Sequence, residues 1–312
     1  MKFYDYKTAS IVYSFRGLCS NLNMINDFFG QPKKKKNHRE NIVENSLFIV
    51  LGMNIVKEAE YNKFIDKLNE LNEILQKNNS HILVVRNDYD YLPIYKENKL
   101  VLSNIHPLDD TSLVSTDFGN ILCLGGRTLV NRSWYKKKFG NEIDDFYERS
   151  ITFQKSDLDD IINNGIKFNC VITNLSPSFM PNIDKNILSN WEKNDDSLLS
   201  DVDKEQTILD MLYGVFRMNK TDSQKIWIYD NYSKNPVELR NYQGGIDFKI
   251  ITTWPDVIFD TKVMNDLDIT MMSDIFSTRI SSNFRYNNNI DGVDIGPMGH
   301  LYAGNQDYVL DA

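Results

Sequence analysis

The sequence predicts an α/β (α+β) fold, on three observations. Residues 46–51 (Ser-Leu-Phe-Ile-Val-Leu) form a continuous apolar run of strand length, closed by Gly52. Residues 58–76 then place Phe64, Ile65, Leu68, Leu71 and Leu75 on one helical face, and residues 82–85 return to a strand pattern. Strand, helix and strand at this spacing make a βαβ unit with parallel strands. The third observation lies downstream. Cys170, Val171 and Ile172 form a short β-branched run that Thr173, Asn174, Ser176 and Pro177 stop, as a buried strand opening into a polar loop would. In α/β sheets such strand ends are where ligands and metals sit.

The remaining elements follow the same rules. Residues 10–14 read as a first strand turned by Arg16-Gly17, and Leu18, Leu22, Ile25 and Phe28-Phe29 as a helix ended by Gly30-Gln31-Pro32. Shorter strands are expected at 101–103, 116–118 and 121–124, helices at 157–164 and 201–216, and strands at 168–172, 226–229 and 248–252. Ile208, Leu209, Leu212 and Phe216 face inward on the second of these helices. From about Pro255 the periodicity weakens into a polar, glycine-rich tail carrying His300. The division expected is a domain at 1–254 and a C-terminal extension at 255–312 that packs on the domain or on a partner.

Composition excludes several classes. With 312 residues, 41% hydrophobic and 12% aromatic, the chain can bury a core. A net charge of -8 argues against a general nucleic-acid coat, so a nucleic-acid partner is not expected. Lys33 to Lys36 read as a solvated loop. The three cysteines, Cys19, Cys123 and Cys170, are widely spaced in apolar surroundings and read as reduced core thiols, not a disulfide frame or zinc site. No apolar run reaches the roughly 18 residues of a membrane span, and the first residues carry no apolar signal core. A cytoplasmic protein is expected, or a virion component if phage-encoded.

Several strand-end loops, taken in order, resemble the motifs of the calcineurin-like metallophosphoesterases. The firmest part is residues 120–134, Asn-Ile-Leu-Cys-Leu-Gly-Gly-Arg-Thr-Leu-Val-Asn-Arg-Ser-Trp, continuing through 147–160, and the likeness spans about residues 8–255. The resemblance implies a β-sandwich flanked by helices, with two metal ions on strand-end loops activating a water against a phosphoester. Position by position the ligands are missing. Ser14-Phe15-Arg16 stands where the family has Asp-x-His, and Gly52-Met53 where it has Gly-Asp. Arg86-Asn87-Asp88-Tyr89 stands for Gly-Asn-His-Asp/Glu, Thr173-Asn174-Leu175-Ser176-Pro177 for Thr-His-x-Pro-Pro, and Asp230-Asn231-Tyr232-Ser233 for Gly-His-x-His. Of the expected ligands Asn87 alone is kept. Met53 offers a thioether where a bridging carboxylate belongs, and Arg16 a fixed positive charge where a cation should sit. Asn174, Asn231 and Ser233 are weak ligands, and Asp88 replaces the general-acid histidine.

The expectation is therefore a pseudoenzyme, with no catalytic residues, no metal and no cofactor. It would serve as a structural or interaction module, such as a component of a phage virion or other large assembly, joined to a protein partner or second copy through its C-terminal extension. Two alternatives stay open. A relocated metal site could use Asn87, Asp88, Asp90 and His106. Alternatively, Arg16, Arg86 and Arg127 could form a metal-free anion pocket for a nucleotide or phosphorylated ligand. Against both, the aspartates (Asp109 and Asp110 included) could simply cap turns facing water, and the arginines could pair with Asp88, Asp90 or Asp230.

Overall fold

Alternation along the strands sets the layers of this fold. In the computed structural model, residues 1–23, 44–55, 57–88, 90–97, 99–140, 153–180, 185–221, 223–230, 238–253 and 255–260 are described. Twelve strands run among these residues: β1 (Lys2–Asp5), β2 (Ile11–Arg16), β3 (Ser46–Leu51), β4 (His81–Val85), β5 (Ile105–Pro107), β6 (Thr111–Thr116), β7 (Gly119–Leu124), β8 (Cys170–Thr173), β9 (Lys225–Tyr229), β10 (Leu239–Tyr242), β11 (Ile246–Ile250) and β12 (Asp256–Asp260). The helices are α1 (Glu58–Lys77), α2 (Pro93–Lys96), α3 (Arg132–Phe139), α4 (Lys155–Asn163), α5 (Lys185–Glu192) and α6 (Leu198–Met218).

The strands form two mixed sheets. One has the order β1-β6-β7-β8-β9-β11-β10 and the other β12-β2-β3-β4-β5. Successive side chains on a strand point to opposite faces, and each sheet uses both. Leu47, Ile49 and Leu51 of β3 and Leu83 and Val85 of β4 meet Ile121 and Cys123 of β7, Cys170 and Ile172 of β8, and Ile226 and Ile228 of β9 in one apolar layer between the sheets. The intervening Phe48, Val50, Ile82 and Val84 face away, onto Leu68, Leu71 and Leu75 of α1. On the other side Leu122, Val171 and Trp227 pack against α4 through Leu158 and Ile161 and α6 through Leu209, Leu212 and Phe216. Helix, sheet, sheet and helix is thus the layer order.

The βαβ unit stands as expected: β3 pairs with β4 in parallel, Leu47 opposite His81 and Leu51 opposite Val85. Other expectations need correction. Residues 101–103 are not a strand; the pairing residues are Ile105–Pro107, beside β4. Residues 116–118 are mostly turn, because β6 ends at Thr116 and Thr116 Oγ1 bonds the Gly119 carbonyl at 2.8 Å. The polar edge strands β1 and β10 and helix α3 have little apolar periodicity and escape a pattern search, and α5 is an amphipathic helix of only eight residues. Residues 256–260, assigned to the extension, form β12 and pair antiparallel with β2. Most of the helix expected after Leu18, Lys33 to Lys36, part of the 147–160 segment, and the tail beyond residue 260 lie outside the described residues.

A pair of histidines fastens the edge of the smaller sheet. His81 of β4 and His106 of β5 stack at 5.9 Å between ring centroids, and Tyr6 tilts onto His81 at 5.2 Å. Burial, and for His81 also the neighbouring His106, holds both imidazoles below the ordinary value of 6.5. The unfolded chain therefore takes up protons at a higher pH than the folded chain. This stabilising contribution is complete above about pH 6.5 and is lost as the pH falls toward the folded values. A thermal melt series should show Tm falling through this window, and His106→Phe, which keeps a stacking ring, should reduce the slope by about half. An unchanged slope would assign the decline to other groups.

Candidate functional site

The C-terminal ends of β2, β3, β4, β7, β8 and β9 converge on one rim, because each exit is bonded to the next. Gly17 donates its N–H to Leu51 O at 2.9 Å, Gly52 to Val85 O at 2.8 Å, Gly126 to Arg86 O at 2.8 Å and Asp230 to Thr173 O at 3.3 Å. Ser14, Arg16, Met53, Asn87, Asp88 and Asn174 all lie on these strands or their exits. Asn231 and Ser233 lie outside the described residues.

Three arginines cross from one sheet to the other along this rim. Arg16, ending β2, donates to Asp230 Oδ1 at 2.8 Å beyond β9. Arg86, after β4, grips Asp110 before β6 with Nε to Oδ1 at 2.6 Å and Nη2 to Oδ2 at 3.0 Å. Arg127, after β7, donates from Nε to Asp88 Oδ2 at 2.8 Å beyond β4. The Arg127 and Asp88 side chains are 2% and 0% exposed, and Arg86 and Asp110 3% and 11%, so both pairs are cut off from solvent. The second pair needs the two glycines of the β7 exit. A Cβ on Gly125 would stand 2.7 Å from Asp110 Oδ1, and one on Gly126, whose φ is +74°, would overlap Arg86 Nη2.

Asp90 ties the β3 and β4 exits together. It is fully buried and accepts four hydrogen bonds: the N–H groups of Met53 at 3.0 Å, Asn87 at 2.9 Å and Asn54 at 2.8 Å, and the Tyr95 hydroxyl at 2.6 Å. Burial pushes its carboxyl up, and the same four donors pull it back. Asp90 and Asp110 are thus not turn caps facing water. Only Asp109 behaves that way, 41% exposed and paired with Lys2 at 2.7 Å.

The positions that the sequence resemblance aligns with metal ligands are engaged otherwise. Met53 carries its side chain into the core between β3 and α1. Asn87 turns its Oδ1 onto the N–H of Asp88 at 2.7 Å. Asn174 donates from Nδ2 to Arg86 O at 3.0 Å and Gly126 O at 3.1 Å. His106 stacks on His81, the first residue of β4, whereas Asp88 and Asp90 follow its last residue; the strand separates the members of the relocated site. Among the described residues, no group of three or more His, Cys, Asp or Glu side chains comes together that could hold a metal ion. Burial pushes the Cys170 thiol up, away from the thiolate a nucleophile requires.

One residue at the rim was absent from the sequence reading. Glu205 of α6 is 4% exposed and accepts the Thr128 N–H at 3.0 Å. Burial raises its carboxyl to about 7, against the pull of the Thr128 donor and the Arg127 charge. The signal for it was a charged residue inside the buried stripe of Leu198, Val202, Leu209, Leu212 and Phe216. Beside it Arg132, at the start of α3, pairs with Asp195 and with Asp201 at 2.8 Å, pinning α3 to the start of α6.

Comparisons with protein-family models, with curated proteins and with solved structures found no match to this chain. Among the described residues no helix is long and apolar enough to cross a membrane.

The rim should be intolerant of single changes. Asp90→Asn sets an amide N–H₂ against donors in place of an acceptor, and should cost about 3–5 kcal/mol in urea unfolding. Gly126→Ala should cost at least about 1–3 kcal/mol, since it adds left-handed strain and displaces the Arg86 guanidinium. Wild-type stability of either variant would remove the corresponding contact from this account.

Proposed function

We propose that this chain is a calcineurin-like phosphoesterase fold in which arginine–aspartate pairs stand in for the metal centre, and that it acts as a non-catalytic structural or interaction module. The observation that carries this reading is the set of three inter-sheet pairs, Arg16–Asp230, Arg86–Asp110 and Arg127–Asp88, on the rim where the sequence motifs align with metal ligands. A guanidinium supplies the positive charge that a carboxylate-lined rim needs, without an open coordination position for water or substrate. The helix-flanked pair of sheets agrees with the architecture that the motif resemblance implies. Residues 261–312 would then offer the contact region for a protein partner or second copy, in a virion or other large assembly.

The other two readings draw less support. A relocated metal site would have to detach Asp88 from Arg127 and Asp90 from its four donors, and still lacks a nearby histidine. An anion pocket would require Arg86 and Arg127 to exchange buried aspartates for a ligand that cannot reach them through a 2–3% exposed surface. Arg16, at 16%, is the most accessible of the three, and it is held by Asp230.

Two measurements test the proposal. Titration calorimetry with manganese and zinc at millimolar concentration should give no saturable heat, and hydrolysis of p-nitrophenyl phosphate with either metal should not exceed the buffer rate. One or two ions bound per chain, with turnover, would make the chain an enzyme. Separately, Arg127→Met and Asp88→Leu should each destabilise by about 3–5 kcal/mol, because each strands a buried charge. The double variant should cost much less than their sum, since it removes both charges together. Additive losses would mean that the two side chains are not coupled.

A further inference from the structure

A small cavity opens between the rim and α6, walled by Leu124, Gly125, Gly126, Phe153, Thr173, Asn174, Leu175, Glu205, Ile208 and Leu209. Its walls are mostly apolar, and two side chains break the pattern. Asn174 is 2% exposed, and its Oδ1 has no hydrogen-bond partner. The amide cannot be turned over to relieve this. Its Nδ2 already donates to Arg86 O and Gly126 O, and reversal would set an oxygen against two carbonyl oxygens. Glu205 is the second polar wall. Its Oε2 takes the Thr128 N–H at 3.0 Å.

Asn174 Oδ1 is thus a buried acceptor with no donor among the described residues. A buried acceptor left unmatched costs about 1–3 kcal/mol. The room available decides what could supply the donor. The cavity volume is about 20 Å³, and roughly 10–15 Å³ of such volume admits one water. A single water-sized molecule fits it. A bare sodium or potassium ion would find too few oxygen ligands among the leucines and isoleucine of the walls. The Thr173 hydroxyl is not an alternative donor, because it is given to Leu175 O while its oxygen accepts the Trp227 Nε1–H at 3.0 Å.

We propose that this cavity is a binding site for a single small hydrogen-bond donor, water or ammonium, that donates to Asn174 Oδ1. The bound donor sits where three segments wall the cavity: the exit of β7 through Gly125 and Gly126, the exit of β8 through Asn174, and α6 through Glu205. The inference is independent of the pseudo-phosphoesterase reading, since it rests on the cavity and its acceptors and on neither the motif alignment nor the absence of turnover.

The test is a crystal structure of the full chain at a resolution that shows ordered water, buffered well above pH 7 so that Glu205 is charged. One crystal is grown without ammonium and another is soaked in ammonium chloride. A single peak within about 3.2 Å of Asn174 Oδ1 in both crystals identifies water. A peak that arises only with ammonium keeps the site and names ammonium as its occupant. An empty cavity in both crystals overturns the proposal, as does a peak beyond reach of Asn174 Oδ1.

Discussion

A charge cut off from water has to be matched, and that constraint governs the strand-end rim. Six exits from two sheets converge there, and the loops bring Arg86, Arg127, Asp88, Asp90 and Glu205 into places with almost no solvent contact. Isolated, any of these would cost several kcal/mol. The chain meets the constraint in two ways. Guanidinium and carboxylate groups pair across the gap between sheets, and backbone N–H groups of tight loops meet buried carboxylates, three at Asp90 and one at Glu205. The apolar layer between the sheets is non-directional and would tolerate a small slide of one sheet over the other. The Arg–Asp pairs are directional, and each has one end in each sheet. Register between the sheets is therefore set at the rim.

This arrangement also explains the glycines at the exits. Gly125 and Gly126 leave the space that the Arg86–Asp110 pair occupies. A side chain at either position would separate the ions without removing them, the most costly outcome for a buried pair. The same geometry engages the charged groups of the rim. Asp88, Asp110 and Asp230 are paired with arginines, Glu205 walls a small cavity, and burial pushes the thiol of Cys170 up.

Much of the frame was legible in the sequence because it depends on local periodicity. The run 46–51, the helix beginning at Glu58 and the strand ending at Val85 emerged within a residue or two of their limits. Edge elements were not legible. β1 and β10 expose most of their side chains, so no apolar pattern marks them, and β5 is three residues long. At the site, the sequence supplied the arginines and most of the aspartates as candidates, and left open whether Arg86 faces a ligand or a carboxylate. Asp110, its partner, lies 24 residues away and was expected to face water. Glu205 could have been noticed as a charge within a buried stripe, but its partner Thr128 is 77 residues distant and donates through its backbone, which no side-chain search finds.

The sequence by itself determined the α/β class, the parallel βαβ unit, the thiols in apolar surroundings and the polar side chains offered at the strand ends. These follow from patterns of two to four residues and from the chemistry of single side chains. Only the tertiary structure decided which acid faces which base, that Arg16, Arg86 and Arg127 reach aspartates across the sheets, and that Asn174, whose Oδ1 has no partner, lines a cavity beside Glu205. The physical reason is range. Periodicity acts along the chain over a few ångströms, whereas pairing and burial depend on which segments the packed sheets bring together.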